Sequence, residues 1–411
     1  MPWLAVLVAA CGGSSSSSTT ANVQIDPLPG FTGSAEVLVH SPAGALVSRA
    51  TITSSLDVAI DDGDTVTIAV RANGRTTLVS ALDVQRGDSI ALPVDSEGSD
   101  EFTTLAVTVP QVSGVTQWNV GTPNSDSSTS DPTMVTIDVL TGTTTTPIIG
   151  TALGSAGALA MFAESSAAIT GGEAPGVTLQ DAVDFRAVPV LATNPPADVA
   201  ADSVFTAGAV DLGAGSLVLA QVGSDVIAPT SFGDRLELVA FAFGSADLVE
   251  AATAVEGAPT SSVSIDLSVP DLPQLAQPAI AATGPSWTLT GGGDYTGLTI
   301  ELSSSTAPDD DYVWGFSAPP GTTSIALPQL PADLAAPSSL DILHVAATAM
   351  SGVDYADSLH ASQQLTTGET YETHAISLDP PQSSARAKHH GFCRTPVTFH
   401  DCVQYGLPFT L

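Results

Sequence analysis

The stretch Asp61-Asp62-Gly63-Asp64-Thr65-Val66-Thr67-Ile68-Ala69-Val70 places a polar turn directly before a strand-forming run, and it decides the fold class. Successive side chains of a strand point to opposite faces, so Val66, Ile68 and Val70 share one face. Asn73-Gly74 follows, and both residues tolerate the positive φ of a type I′ turn. The pattern therefore predicts a strand, a two-residue turn and a second antiparallel strand.

Comparable runs recur along the rest of the chain. Candidate strands lie at 36–39, 56–60, 104–109, 157–162, 215–220, 287–289, 298–302 and 313–316. Hydrophobic residues make up 43% of the chain and aromatic residues only 5%, so the cores must consist mainly of Val, Leu, Ile and Ala. We predict an all-β protein of tandem antiparallel β-sandwich modules, Ig-like or jelly-roll-like. The uncharged residues between Asp138 and Glu164 are rich in Thr, Gly and Ser, so we interpret them as strands and a loop, not a membrane helix.

Composition shifts suggest the module boundaries. We predict a β-sandwich at 21–98, a central β region at 99–278 that is one large or two small sandwiches, and a third module at 279–380. A polar break at 95–100 and Pro-rich stretches at 269–278 and 318–337 mark the edges. Segments 87–93, 260–265 and 321–328 share a turn followed by a short strand, and tandem related sandwiches would explain that similarity.

Charge narrows the classes of partner. Against 43 acidic residues the chain has 9 basic ones, of which Lys388 is the single lysine, and the formal net charge is −34. Such a surface repels phosphate backbones, so we expect no nucleic-acid partner. Cations are the natural counter-species, and divalent cations are possible partners. The alternative is that the acidic excess keeps the protein soluble in a salty medium.

The N-terminus contains an apolar run from Trp3 to Ala10 that ends in Val8-Ala9-Ala10-Cys11. Eight residues are too few to cross a bilayer, which requires about 20 in a helix. The segment resembles the signal sequence and lipobox of bacterial lipoproteins. The alternative is a buried apolar strand that ends in a cysteine, since Met1-Pro2-Trp3 lacks the basic residues that usually open a signal sequence.

The resemblance to bacterial lipoproteins implies a cellular location. Residues 1–10 would be the signal sequence, Cys11 would carry the acyl chains that bind membrane lipid, and 11–20 would form a Ser-rich tether. Gly12 follows the cysteine in place of Asp, which in that family implies no retention at the inner membrane. The expected location is the cell envelope, lipid-anchored at the outer membrane and facing the periplasm or the cell surface.

The last segment, 381–411, is a basic His/Cys tail. It carries three of the nine Lys and Arg residues and three of the seven histidines. With Cys11 acylated, Cys393 and Cys402 remain and are predicted to form a disulfide in an oxidising compartment, which would contribute about 2 to 3 kcal/mol. Zinc binding by the tail is an alternative, and so is a non-native reading frame at the end of the gene.

Two short motifs resemble sites of known chemistry. Gly87-Asp88-Ser89-Ile90 and Asp341-Ile342-Leu343-His344 resemble the serine motif and the Asp-x-x-His base of GDS-type esterases. The sequence lacks the Gly-x-Asn-Asp block that would supply oxyanion donors, and β structure is predicted where that family alternates helices and strands. Arg86-Gly87-Asp88 also spells an integrin tripeptide, although a hairpin turn explains it equally well.

The sequence also contains candidate metal and glycan sites. His344, His360 and His374 are candidates for a three-nitrogen metal site. The acidic turns 61–64 and 309–311 could bind calcium, although neither has the ligand spacing of an EF-hand. Trp287 and Trp314 are candidate exposed rings for stacking on a glycan.

No assembled active site is predicted, so we expect no catalytic residue, no metal site and no cofactor. The expected function is a non-catalytic structural or binding component of the cell envelope, with an envelope protein or glycan as a possible partner. The alternatives are a cation- or glycan-binding surface module and, third, an esterase of the GDS type.

Overall fold

The structure is a computed structural model that describes residues 19–25, 34–72, 75–91, 102–123, 125–140, 143–171, 175–197, 199–211, 216–233, 235–244, 247–269, 272–281, 283–304, 312–337, 340–359 and 370–377. The predicted all-β class is confirmed, because strands dominate these ranges. The helical segments described are Ala201–Ser203, Ala332–Leu334 and Tyr355–Ser358. Within these ranges no helix has the length and apolar character needed to cross a bilayer.

The first sandwich, which we name unit 1, has seven strands. They are β1 (Thr20–Gln24), β2 (Ser34–His40), β3 (Leu46–Ile52), β4 (Ser55–Ala59), β5 (Asp64–Ala72), β6 (Arg75–Val84) and β7 (Ser89–Ala91). One sheet has the order β4-β1-β7, and the facing sheet has the order β6-β5-β2-β3. The alternation quoted above places Val66, Ile68 and Val70 in the core between the two sheets.

Unit 2 follows with the same number of strands. They are β8 (Phe102–Thr108), β9 (Gln117–Thr122), β10 (Ser125–Thr129), β11 (Met134–Leu140), β12 (Thr145–Gly154), β13 (Gly157–Ala168) and β14 (Gly176–Thr178). The sheets are β11-β8-β14 and β10-β9-β12-β13. Trp118 is fully buried in the core, with its ring centroid 5.9 Å from that of Phe162. The described residues between Asp138 and Glu164 lie in β11, β12 and β13 and in the segments between these strands, in agreement with the predicted strands and loop.

Unit 3 adds one short strand to this plan. Its strands are β15 (Phe185–Thr193), β16 (Val204–Asp211), β17 (Ser216–Val218), β18 (Gln221–Val222), β19 (Asp225–Pro229), β20 (Arg235–Phe243), β21 (Asp247–Val255) and β22 (Val263–Asp266). The sheets are β18-β19-β15-β22 and β17-β16-β20-β21. Units 2 and 3 both lie within the central region 99–278.

Units 1 to 3 share one topology. In each, the first strand lies between an antiparallel partner and the last strand of the unit, with which it pairs in parallel. In each, the remaining four strands form the facing sheet. Its second strand pairs with the third and the fifth in units 1 and 2, and with the third and the sixth in unit 3, where the short strand β18 is added. Such shared pairing supports a tandem repeat of one sandwich unit.

Unit 4 departs from that plan at its edge. Its strands are β23 (Gln274–Ala281), β24 (Gly284–Thr290), β25 (Gly297–Ser304), β26 (Tyr312–Ala318), β27 (Asp341–Met350) and β28 (Thr370–Ser377). One sheet has the order β28-β27-β25-β26, and the β23-β24 hairpin packs over it. β24 also forms an antiparallel bridge from Ser286 to Ser324. β23 therefore takes the position beside β24 that the last strand holds in units 1 to 3.

Three of the four units join edge to edge. One twelve-stranded sheet has the order β17-β16-β20-β21-β28-β27-β25-β26-β6-β5-β2-β3, and we name it the long sheet. The junction of units 3 and 4 is antiparallel, from β21 to β28, and the junction of units 4 and 1 is parallel, from β26 to β6. Edge strands expose unpaired backbone groups. At each junction two such edge strands pair with each other, so the backbone groups of both edges are satisfied.

The parallel junction is also held by side chains. The indole Nε1–H of Trp314 donates a hydrogen bond to Ser80 Oγ at 2.9 Å, and Ser80 Oγ lies 2.8 Å from Thr67 Oγ1. Ser80 and Thr67 are fully buried, although they lie on the face of unit 1 that points away from its own core. Unit 4 therefore covers a face of unit 1 that would be exposed in an isolated unit 1. That face combines Thr67 and Ser80 with Leu38, Ala69 and Leu78, which belong to the unit 4 core.

Candidate functional site

A cleft lies where units 3 and 4 meet. Its volume is about 470 Å³, within the range of small-molecule sites. Its lining combines the loop after β15, the linker between β22 and β23, and strands β20, β21 and β28: Asn194, Pro196, Ala197, Val199, Ala242, Val249, Leu267, Ser268, Val269, Leu272, Gln274 and His374. Eight of the twelve lining residues are aliphatic or proline, and the other four have polar side chains.

His374 forms part of the cleft wall from the long sheet. It lies on β28, opposite Val249 of β21 and Ala347 of β27, and it is 7% exposed. Its Nδ1 lies 3.1 Å from the carbonyl oxygen of Pro273. A carbonyl oxygen only accepts, so Nδ1 carries the hydrogen, and Nε2 is the nitrogen that the neutral ring has left for accepting.

The cleft rim is shaped by a small hydrogen-bond network. Asn194 has a positive φ of 52°, and its Nδ2 donates to Asp266 Oδ1 at 3.1 Å. The same oxygen accepts from the backbone N–H of Ser268 at 2.9 Å. The Ser268 amide, followed by the Asn194 side chain, lowers the pKa of Asp266 and so favours its carboxylate form. The rim is thereby fixed before any ligand arrives.

The chemistry available in the cleft is recognition of a polar, uncharged molecule. The four polar side chains are two amides, one hydroxyl and one imidazole: Asn194, Gln274, Ser268 and His374. They supply donors and acceptors between aliphatic walls, which is the composition of a binding site. Among the described residues that line the cleft there is no carboxylate, lysine or arginine.

A separate acidic group lies on the opposite face of unit 3. Burial raises the pKa of Glu237 to about 7, with further contributions from Glu250 and Asp211 and an opposing one from Arg235. Arg235 forms an ion pair with Asp211 that includes a 3.0 Å hydrogen bond from Nε to Oδ2. The cleft was not predictable from the sequence, because its residues come from strands far apart in the chain. The acidic group lies on β16 and on the consecutive strands β20 and β21, and it matches no motif. The sequence signal for the acidic group is one glutamate inside each of two apolar runs: Glu237 in 235–243 and Glu250 in 247–255.

The esterase motifs lie in different sheets. Ser89 belongs to β7 of unit 1, in the β4-β1-β7 sheet, and Asp341 and His344 belong to β27 of unit 4, in the long sheet. Among the described hydrogen bonds none joins Ser89 to a histidine. The structure therefore does not bring the two motifs together as a described catalytic pair.

The Arg86-Gly87-Asp88 segment and the acidic turn 61–64 are joined by an ion pair and by hydrogen bonds. The Arg86 guanidinium pairs with the Asp61 carboxylate and donates from Nε to the Ile60 carbonyl at 3.2 Å. The backbone N–H of Arg86 donates to Asp62 Oδ1 at 3.0 Å. Gly87 supplies the positive φ of 96° that the turn requires. The acidic turn 61–64, the candidate calcium site, thus pairs with the Arg86 guanidinium.

The three-histidine metal site is not assembled in the described part of the chain. In the β27–β28 ladder His374 is opposite Ala347, whereas His344 is opposite Ser377. These positions are three residues apart along the strands, or about 10 Å. His360 lies outside the described residues. Over the described ranges, no group of three or more His, Cys, Asp or Glu side chains is arranged to hold a metal ion.

The prediction that Trp287 and Trp314 are exposed rings is wrong. They are 4% and 1% exposed and belong to the core of unit 4. Trp314 also stacks on Phe316, with ring centroids 4.9 Å apart. Alternation alone could not show this, because the β23-β24 hairpin and the segment 319–337 cover the face on which these rings lie.

Several predicted residues fall outside the described ranges. They are the lipidation residue Cys11, the disulfide residues Cys393 and Cys402, the acidic turn 309–311 and the tail 381–411. The lipid anchor and the disulfide therefore stay predictions. No protein-family model matches the chain, and no curated protein matches it in sequence.

Proposed function

We propose that this chain is a non-catalytic, lipid-anchored binding component of the bacterial cell envelope. The anchor rests on the lipobox Val8-Ala9-Ala10-Cys11, whose cysteine would carry the acyl chains. The binding role rests on the cleft between units 3 and 4. In this proposal the long sheet holds the cleft walls in a fixed geometry at the end of a flexible tether.

The cleft supports one class of ligand above others. A neutral molecule with several hydroxyl or amide groups matches its two amides, hydroxyl and imidazole, and its aliphatic walls. A chain with a net charge of −34 repels anions. The cation-binding alternative loses support at 61–64, where Arg86 is bound, and the glycan-stacking alternative loses support because Trp287 and Trp314 are buried.

The binding role is tested by titrating neutral sugars and small amides into the purified full chain with calorimetry. His374→Phe and Gln274→Leu should weaken a detected ligand by about tenfold each, since a polar partner would be lost. Leu191→Ala is the matched control, because Leu191 is 46% exposed and lies outside the cleft. If His374→Phe and Gln274→Leu bind the ligand as tightly as the wild type and Leu191→Ala do, the assignment of the ligand to the cleft is refuted.

The anchor is tested separately in cells. Radiolabelled palmitate should label the wild-type protein and leave Cys11→Ser unlabelled, and globomycin should cause the unprocessed form to accumulate. A wild-type protein that carries no label, with a free thiol at position 11, would overturn the anchor without bearing on the cleft.

A further inference from the structure

Three of the four polar side chains in the cleft share a property that limits which ligands fit. Each donates a hydrogen bond to a group of the protein that can only accept. Buried His374 lies at the floor and donates to the Pro273 carbonyl. Exposed Asn194 and Ser268 lie at the rim and donate to the Asp266 carboxylate. These bonds fix which atoms remain for a ligand.

His374 presents an acceptor at the cleft floor. Its Nδ1–H donates to the Pro273 carbonyl oxygen at 3.1 Å, so Nε2 of the neutral ring has a lone pair and no hydrogen. Among the described residues no group hydrogen-bonds to Nε2, and Nε2 is not one of the buried side-chain atoms that lack a partner, so it is open to the cleft. The side chains opposite it, Val249 and Ala347, have no donor. A ligand that displaces water from this floor must therefore donate to Nε2, because a buried acceptor without a partner is costly.

Asp266 orients the rim, although it is not one of the lining residues. Its Oδ1 accepts from Asn194 Nδ2 at 3.1 Å and from the backbone N–H of Ser268 at 2.9 Å. The Ser268 amide, followed by the side chains of Asn194 and Ser268, lowers the pKa of Asp266, so the carboxylate form predominates at neutral pH and can only accept. Asn194 is thereby turned so that its Oδ1 and one Nδ2 hydrogen remain for a ligand. The Ser268 hydroxyl keeps the lone pairs of its oxygen.

The backbone at the rim adopts a conformation that is costly for the residues present. Of the four described residues other than glycine with a positive φ, two line the cleft: Asn194 at 52° and Val269 at 36°. A β-branched residue such as valine rarely adopts a positive φ. Strained residues of this kind cluster at functional sites. The strain at Val269, next to Ser268, is therefore a second sign that the shape of this rim serves a ligand.

The cleft thus has acceptors at both floor and rim and has donors at the rim. The rim donors are the second Nδ2 hydrogen of Asn194 and the amide of Gln274. A hydroxyl group matches this arrangement, because one atom can donate to His374 and accept from the rim. The C–H groups of a polyol can pack on the aliphatic walls.

We propose that the cleft binds a neutral polyhydroxylated molecule, such as a sugar or cyclitol, and that one hydroxyl group of this ligand donates its hydrogen to Nε2 of His374. The inference rests on the proposed binding function and adds the direction of the hydrogen bond that selects the ligand. Asp266 is a positioning residue, which acts through Asn194 and Ser268. Molecules that only accept hydrogen bonds leave Nε2 without a partner and are rejected.

The first test reads the imidazole directly by nuclear magnetic resonance of the purified full chain with ¹⁵N-labelled histidine. Without ligand, His374 should have a protonated Nδ1 and an unprotonated Nε2, and His374→Phe assigns its signals by removing them. Glucose, galactose, mannose and myo-inositol are then titrated. We expect at least one of them to bind in calorimetry and to shift the Nε2 signal of His374.

The second test removes single ligand hydrogens. In deoxyfluoro analogues of a polyol that binds, fluorine replaces one hydroxyl at a time and has no hydrogen to donate. One analogue should bind the wild type at least about tenfold more weakly than the parent does, and His374→Phe should bind the two about equally. If His374 were only structural, its replacement would weaken both and leave their ratio unchanged.

The third test concerns the positioning residue. Asp266→Ala should weaken polyol binding by about threefold, since Asn194 and Ser268 lose the partner that orients them. Asp184→Ala is the matched control, because Asp184 is exposed, precedes β15 at the end opposite Asn194 and lies outside the cleft. Asn194→Gly is the second variant, since glycine tolerates the positive φ and removes only the side chain. It should weaken binding to a similar extent, with circular dichroism confirming the fold.

The outcomes separate this proposal from the proposed function. If small amides bind and none of the four polyols does, the polyol assignment is overturned and the binding function stands. If the fluoro analogues bind the wild type as well as the parent does, or if Nε2 of His374 proves to be protonated, the direction of the hydrogen bond is wrong. Unchanged affinity in Asp266→Ala and Asn194→Gly overturns the role of Asp266. If no neutral ligand binds, both proposals fail.

Discussion

Ser80→Ala is the sharpest test of the joined sheet. Ser80 lies on β6 of unit 1, accepts from the Trp314 indole of unit 4 and is hydrogen-bonded to Thr67. All three side chains are buried, so the substitution removes two hydrogen bonds and leaves the indole N–H and the Thr67 hydroxyl without that partner. In an isolated unit 1 the same serine would face water, and its loss would have almost no effect.

The magnitude follows from those two contacts. Each buried polar group that loses its partner costs about 1 to 3 kcal/mol, and two groups lose one, so we expect Ser80→Ala to lower the free energy of unfolding by about 2 to 6 kcal/mol. Thr67→Val removes only the Thr67–Ser80 bond and should cost about 1 kcal/mol. The double variant should cost less than the sum, because the two residues share a hydrogen bond.

The assay is urea unfolding followed by tryptophan fluorescence and circular dichroism, with the slope of the transition checked for each variant. Ser48→Ala is the matched control, since Ser48 is exposed on β3 and its loss should change stability by less than about 0.5 kcal/mol. If Ser80→Ala matches the control, then Trp314 does not contact Ser80, and the parallel junction between units 4 and 1 is wrong.

Four further predictions rest on single side chains. Burial lowers the pKa of His40 below its ordinary 6.5, so the unfolded chain takes up the proton first, and stability should fall with pH below about 6.5. His40→Gln should flatten that slope in urea titrations across this range. The pKa of Glu237 is raised to about 7 from an ordinary 4.5, so its effect on stability is the opposite: the folded chain keeps this proton to higher pH, and stability falls as the pH rises above about 4.5. Glu237→Gln should therefore stabilise the protein at about pH 8 and not at about pH 4. Asp333→Asn should lower the melting temperature in low salt and less in high salt, because the Arg49 guanidinium, which lowers the pKa of Asp333 to about 2, forms an exposed ion pair with it. Gly284→Ala should cost at least about 2 kcal/mol more than Gly321→Ala in urea unfolding, because a Cβ at 284 would overlap the Ile325 carbonyl oxygen and a Cβ at 321 would meet nothing within 4 Å.

The strands were predictable from the sequence because their cause is local. Alternation with a period of two, as in Val66, Ile68 and Val70, needs only the pleat and one buried face. The turns between strands follow from residues that tolerate positive φ, such as Gly87. The repeat was also visible in the sequence, since segment 87–93 contains β7 and segment 260–265 contains most of β22, the closing strands of units 1 and 3. Segment 321–328 holds a different place, the bridge to β24.

The candidate site was not predictable, because its parts come together only through the tertiary fold. Asn194, Gln274 and His374 are separated by 80 and 100 residues and share no motif. They line one cleft because β28 pairs with β21 across two units. The same pairing places His344 and His374 about 10 Å apart along the strands, so two of the three histidines that made a metal site a candidate do not come together.

By itself, the sequence determined which residues form strands, which face of each strand is apolar and how acidic the surface is. Only the tertiary structure decided which strand edges meet, which apolar faces have a second layer, and that Trp287 and Trp314 are buried. The physical reason is that alternation in the sequence shows which face of a strand is apolar, but not which strand or sheet packs against that face. Any strand edge carries the same backbone donors and acceptors, so the choice of partner depends on the packing of whole units.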